Sequence, residues 1–364
     1  MRSSSGKFFR RSWGASGLRW LGILVLGVLP GGVAKPLARA QAVVEPPPLK
    51  LFHEVHRAMG SEFSIDLYAP DQETAEGWME ASFEEIDRIE DLLSNYRPTS
   101  ELSRISREAG KGPVTTDPET FALIEKAVET SRRSDGAFDI TVGPLMRAWG
   151  FFFNNGRIPD ATELARLKGK TGWQYIKLDD SVRTVYFTNG VPMELDPGGI
   201  GKGYAVDQVA ALLRENGVKA ALISGGSSSI YGIGAPPGAK GWQVNVPDPE
   251  NAGKMLSTVW LKDLSLSTSA CTEKFFIKNG HRYCHILDPH KQKPVEGVLQ
   301  TTILAPSTED SDALSTATFV MGKDGFRRIL SMYPNSAGLL VLKSSERPEY
   351  VSYEWPQPMT EVGK

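Results

Sequence analysis

The chain has 364 residues, 40% of them apolar and 23% charged, which excludes a disordered or fibrous polypeptide and leaves material for a sizeable core. The formal charge of −2 hides an asymmetry: residues 1–42 hold seven bases and no acid, so the remainder carries 34 bases against 43 acids, a net charge of −9. That balance argues against a nucleic-acid surface, which needs a basic stripe to displace counterions from phosphate.

In chain order, the first segment reads as an export signal, with a basic start, the short apolar run Trp20–Leu29 and the small-residue end ARAQA. The run is shorter than the roughly 20 apolar residues that span a bilayer, so cleavage after Ala42 is expected rather than a retained membrane span. Arg10 and Arg11 suit the twin-arginine route, and no cysteine near the cleavage point is placed to carry a lipid. Residues 43–50 form a proline-rich connector, 51–355 the folded domain and 356–364 a tail.

SEFSIDLYA alternates as a half-buried strand, and ETAEGWMEASFEEIDRIEDLLS has apolar residues at helical spacing. A second helix fits DPETFALIEKAVETSRRS, with Asp117 as cap and Pro118 at the first helical position. VYFTNG and MELD read as strands, GYAVDQVAALLRENG as a helix ending at Gly217, and KAALISGGSSSIYGIG as one buried strand running into glycines. From GWQVNVP through LSLSTSA to LQTTILAP, strands follow without intervening helices. The class expected is α+β, with mixed β-sheets flanked by helices in a single compact domain. EKFFIKNGHRYCHILD should turn at Asn279-Gly280 and set Phe275 opposite Cys284. Cys271 would then fall several residues away, so the two cysteines are expected as reduced thiols.

Four stretches could carry chemistry. LDPGGIGKGYAVD places four glycines where a strand gives way to a helix, a suitable cradle for phosphate, although it fits neither the P-loop nor GxGxxG; a tight strand-to-helix connection is the other reading. In STEDSDALSTATFVMG, Asp312 and Thr316 stand four apart on one helix face, an all-oxygen pair suited to Mg²⁺, while Asp310 or Ser311 could simply cap the helix. In RYCHILDPHKQKP, adjacent strand residues point to opposite faces, which excludes a Cys284–His285 dyad and leaves His285 as a general base or a structural histidine. The remaining histidines form no cluster with metal-ligand spacing. In SDGAFDITVGPLMRAWGF, groups around Asp139 could sandwich a flat ring, as could Tyr96.

Together and in this order, MGSEFSI, LLSNYRPTSELSRIS, GAFDITVGPLMRAWGF, LDPGGIGKGYAVD, ISGG, HILDP and DALSTATFVMG resemble the ApbE family of periplasmic flavin transferases over nearly the whole mature chain. The resemblance implies a T-fold-like catalytic domain that moves FMN from FAD onto a threonine hydroxyl of a target protein with Mg²⁺, releasing AMP. It implies that Asp196 and Lys202 contact FAD, and that the Gly199 carbonyl, Asp312 and Thr316 hold the metal. Met59, Tyr96, Ala137, Phe138, Asp139 and Ile286 would line the flavin or adenosine pocket, with His285 and Asp312 in catalysis. The implied partners are exported or membrane-bound redox subunits whose acceptor threonine sits in a Ser/Thr-Gly-Ala/Ser-Thr-like segment. An FAD pyrophosphatase giving FMN and AMP, or a non-catalytic periplasmic flavin-binding protein, are the alternatives. The chain departs from the family pattern at Gly199, usually Ala; at Asp288-Pro289-His290-Lys291-Gln292, commonly DPRTG; and at Cys271, where a small residue is usual.

Overall fold

The computed structural model describes residues 47–272 and 274–356; the expected export signal with its expected cleavage point, residues 43–46 of the connector and nearly all of the tail lie outside the described residues. The first hairpin pairs β1 (Lys50–Ala58) with β2 (Ser61–Ala69), and α1 (Gln72–Leu93) and α2 (Glu101–Glu108) follow. Asp71 and Ser100 cap those helices by accepting from Thr74 and Ser103 N–H. After β3 (Val114–Thr115) comes α3 (Pro118–Arg133), capped at Asp117 with Pro118 in its first turn as its sequence dictates. A stretch with α4 (Gly143–Ala148) and α5 (Ala161–Arg166) leads to β4 (Ile176–Asp179) and β5 (Thr184–Phe187), which form a small sheet with β3.

MELD is not a strand. Its burial alternates, but Leu195 N–H donates to Ser106 Oγ at 3.0 Å and Asp196 N–H to the Ile140 carbonyl at 2.6 Å, so side chain and loop take the place of a ladder. Next come α6 (Gly201–Glu215), then β6 (Ala220–Gly225) and β7 (Ser229–Gly234). These two strands pair antiparallel, so the expected single strand is a hairpin, its reversal made possible by Gly226 at φ 69°. Then follow β8 (Trp242–Pro247), β9 (Met255–Leu261), β10 (Leu264–Ala270), β11 (Phe275–Lys278) and β12 (His281–Cys284). The chain ends with the short pair β13 (Leu287–Asp288) and β14 (Lys293–Pro294), then β15 (Val298–Ala305), α7 (Thr308–Leu330), β16 (Ala337–Leu342) and β17 (Glu349–Tyr353).

The main sheet has eight strands in the order β1-β2-β6-β7-β10-β15-β16-β17, and each pairing along it is antiparallel. The α+β class is as expected, with strand directions more regular than mixed sheets. One face carries the principal core with α1, α6 and α7; on the other, Trp242, Val244, Val259 and Leu261 of the β8–β9 hairpin pack onto Leu266 and Leu304. Central β15 is therefore buried along almost its whole length. From Pro47 onward the chain forms one unit, and no described helix is long and apolar enough to cross a membrane.

Hydroxyls fix the rotation of α7 on the sheet. Ser267 Oγ meets Ser311 Oγ at 2.7 Å, Ser269 Oγ meets Ser315 Oγ at 2.8 Å, and Thr301 Oγ1 donates to the Ser315 carbonyl at 2.7 Å. With Ser311 and Ser315 turned to the sheet, Asp312 and Thr316, one residue further round the helix, are turned toward α6 and the loop before it.

The hairpin at Asn279-Gly280 forms in the expected register, Phe275 opposite Cys284. The thiol expectation fails, because Cys271 and Cys284 are joined in a disulfide with Cα atoms 5.2 Å apart. Cys271 follows directly on β10, its N–H donating to the Leu299 carbonyl at 3.4 Å, and the β11–β12 hairpin returns Cys284 to it, a long-range approach that the hairpin register alone does not announce.

Candidate functional site

Three segments far apart in sequence meet where α6 begins. Its N-cap residue, Ile200, supplies no side-chain acceptor, and the structure meets that need from elsewhere: Asp312 Oδ2 accepts from Gly203 N–H at 2.9 Å. Asp312, 4% exposed, is thereby held at the positive end of a helix. The service is returned, since Asp207 of α6 accepts from Thr308 and Glu309 N–H at 2.8 and 2.9 Å at the start of α7. The caps expected on α7, Asp310 or Ser311, do not serve as such: Ser307 is the N-cap, its hydroxyl accepting from Asp310 N–H.

The glycines are needed for close approach. A Cβ on Gly203 would lie 2.4 Å from the Thr308 carbonyl oxygen and 2.8 Å from Asp312 Cβ. One on Gly199 would lie 3.0 Å from Thr316 Oγ1 and 3.1 Å from Phe138 Cε2, and one on Gly201 3.5 Å from Met59 Cε. Met59, Phe138, Gly199, Asp312 and Thr316 are thus brought around one loop. Lys202, half-buried, is the second residue of α6 on that loop.

Asp196 opens the loop, its Oδ1 accepting from Gly198 N–H at 2.8 Å. Burial raises its pKa above the ordinary carboxylate range, the Gly198 bond opposes this, and the Glu194 charge reinforces it, while Lys274 and Asn95 stand close enough to oppose it. Tyr96 lies on the same side: partial desolvation and then the Asp196 charge raise its hydroxyl. The Tyr96 ring stacks on Phe152 at 4.1 Å, and the Arg147 guanidinium, ion-paired with Glu194, lies 3.5 Å from the Phe152 ring centre. Lys274 also links this group to His285, whose Nδ1 is 2.9 Å from the Lys274 carbonyl oxygen. A carbonyl only accepts, so Nδ1 carries the proton in the neutral ring and Nε2 has the lone pair.

The other expected residues stand differently. Asp139 is buried and spends its carboxylate on its own surroundings, Oδ1 accepting from Thr141 N–H and hydroxyl at 2.8 and 2.7 Å and Oδ2 from Trp173 N–H at 3.0 Å. Burial raises its pKa against those bonds. It shapes the GAF loop. Ile286 is 7% exposed, its carbonyl accepting from Val295 N–H at 3.0 Å. Ala137 lines a cleft of about 330 Å³ with Ser134, Asp288, His290, Met321 and Arg328, none of them in the Asp196–Asp312–Thr316–His285 group.

Asp207, Arg147, Phe152 and Lys274 were not legible as site residues, because each acts through a partner remote in sequence or through a stack that no spacing encodes. Among the described residues no group of three or more His, Cys, Asp or Glu side chains is arranged to hold a metal ion. What converges is one carboxylate, one hydroxyl and a glycine backbone, a hard-oxygen set that fits Mg²⁺ sharing its shell with ligand phosphates and does not fit zinc.

A model of the ApbE family matches residues 59–340. An FAD:protein FMN transferase of Klebsiella pneumoniae is 32% identical over 266 residues, 72% of this chain and 80% of that relative. The crystal structure of the ApbE protein of Thermotoga maritima superposes with a TM-score of 0.73 at 31% identity, covering 80% of this chain and 94% of that one. The flavinyl transferase ApbE of Pseudomonas stutzeri gives 0.74 at 26% identity, covering 84% and 95%.

Proposed function

This chain belongs to the ApbE family, and from that premise we propose that it is an exported enzyme that transfers FMN from FAD to a threonine hydroxyl of a target protein, releasing AMP, with Mg²⁺ required. Flavin transfer is carried by the family; the metal, the threonine and the leaving group are our extension of it. The observation that supports the metal most directly is the approach of Gly199 to Thr316 beside the bond from Gly203 to Asp312.

Asp312, Thr316 and the Gly199 carbonyl are the groups that would hold the cation. Mg²⁺, when bound, supplies charge neutralisation to a diphosphate and to the AMP that leaves. The glycine loop lets that diphosphate approach the main chain, and Tyr96, propped by Phe152, offers a flat face to the flavin. The acceptor hydroxyl oxygen forms a bond to the phosphorus beside riboflavin, the bond from that phosphorus to the AMP oxygen breaks, and AMP departs with the electron pair. His285 Nε2 takes the hydroxyl proton, the ring being oriented by its Nδ1 bond to Lys274.

The test is the intact mass of a candidate acceptor after incubation with FAD and Mg²⁺. Gain of one FMN is expected, lost in Asp312→Ala and on chelation with FAD still bound. AMP release without acceptor labelling would make the protein a pyrophosphatase, and neither product would make it a flavin carrier. Export is tested by N-terminal sequencing of the periplasmic protein, expected to begin at Val43.

A further inference from the structure

A transferase that labels a protein must bring a foreign polypeptide to His285, and the element that leads to His285 is the β11–β12 ribbon, which ends one residue before it. The ribbon has two unlike faces. Phe276 and Tyr283 stack at 4.9 Å, and from there the inner face packs onto Phe151 at 5.4 Å and Trp149 at 5.9 Å. A Cβ on Gly156 would lie only 2.3 Å from Phe276, so this face is fully engaged.

The opposite face carries Phe275, Ile277 and Arg282, with Ile277 opposite Arg282 in the register. Phe275 is 39% and Ile277 63% exposed, and the Arg282 guanidinium lies 4.3 Å from the Phe275 ring centre. Among the described residues neither strand pairs with any strand but the other, so each has an outer edge with no ladder partner. An exposed edge beside apolar side chains is the arrangement that takes up an additional strand.

Charge narrows the occupant. Of the bases in residues 274–284, Arg282 lies on this face, whereas Lys278, opposite His281 in the register, lies on the face of Phe276 and Tyr283. The disulfide from Cys271 to Cys284 ties the base of the ribbon to the end of β10, which limits how far the edge can move relative to His285.

We infer that the β11–β12 ribbon is the docking surface for the acceptor, taking an extended segment with acidic and apolar side chains and guiding its hydroxyl to His285. The inference rests on the transferase reading. A second copy of this chain would gain nothing from a surface that leads to His285, whereas an acceptor must deliver its hydroxyl there, and an acidic segment also meets Arg282.

The experiment uses the mature protein with FAD and Mg²⁺ and two labelled peptides that share one threonine in a Ser-Gly-Ala-Thr core. One peptide is flanked by Asp, Glu and Leu, the other by Lys and Leu. Fluorescence anisotropy at about 0.15 M ionic strength, where surface charges act over roughly 8 Å, should show the acidic peptide binding at least tenfold tighter. Arg282→Glu should remove or invert that preference, and Ile277→Asp should weaken both peptides, with FAD affinity unchanged in each variant. The milder change Arg282→Gln, expected to halve the preference or more, serves if Arg282→Glu misfolds. Equal binding of the two peptides, or a preference the variants leave intact, overturns the proposal. So does a concentration-dependent dimer abolished by Ile277→Asp, which would give the face to a second copy. Because binding and labelling are read separately, the expected preference, lost in the variants as expected but with no FMN on either peptide, would sink the transferase reading and leave the ribbon as a peptide site.

Discussion

Gly203 would ordinarily cost a helix about 1 kcal/mol relative to alanine. In this protein the sign reverses, because a Cβ would meet the Thr308 carbonyl at 2.4 Å and Asp312 at 2.8 Å. Gly203→Ala should therefore destabilise by about 1–3 kcal/mol and displace the carboxylate assigned to the metal; a urea midpoint equal to wild type would contradict so close an approach of α6 to α7. Gln292 is the counter-example. It stands at φ 54°, in the left-handed region, at the position where the family's DPRTG turn has its glycine. A side chain there costs about 1–2 kcal/mol, partly offset by the greater chain entropy that glycine loses on folding. Gln292→Gly should stabilise by about 0.5–1 kcal/mol, with the bond from Trp149 Nε1 to the residue 292 carbonyl retained. Denaturant unfolding measures it, and a lower midpoint would mean the side chain contributes a contact worth more than the strain.

α6 and α7 each cap the other, Asp312 on one and Asp207 on the other, so neither helix start is complete alone. The exchange puts acids close together. Glu309, in the first turn of α7, is pushed up to about 7 from 4.5 by burial; Lys126 opposes this, and the charges of Asp207 and Asp310 add to it. Its pKa in the folded protein thus lies above the unfolded value. The folded state keeps a proton that the unfolded chain has lost between pH 4.5 and about 7, so this residue makes stability fall as pH rises through that window. Glu309→Gln should flatten the decline and raise the denaturation midpoint at pH 8 relative to wild type. Parallel pH profiles for the two proteins would exclude Glu309 as the titrating group.

Across the molecule, the groups proposed to meet the ligand come from the β1–β2 turn, the loop around Phe138, the start of α6 and the first half of α7, all carried on or against one antiparallel sheet. A ligand touching all of them should stabilise the fold as a unit, by about 2.7 kcal/mol at a hundredfold excess over its dissociation constant. FAD with Mg²⁺ should raise the melting temperature more than the sum of either alone, and more than FAD with a chelator; simple additivity would separate the metal from the flavin site. Much of this was legible in the primary structure. The caps at Asp117 and Pro118, the hairpin at Asn279-Gly280 and the helical spacing of Asp312 and Thr316 are local, set by backbone preferences that act within a few residues. So is the family likeness, which is a matter of residue order. Long-range pairing was not: MELD alternates like a strand yet finds no ladder, KAALISGGSSSIYGIG reverses at Gly226, and Cys271 meets Cys284 in an approach that the hairpin register alone does not announce. By itself the sequence determined the local caps, the helices and the tight hairpin, the chemistry available and the family. Only the tertiary structure decided which acid caps which helix, that Asp139 is bonded to Thr141 and Trp173, and which face of the ribbon is exposed, because those outcomes depend on what lies across the fold when backbone and side chain compete for the same bonds.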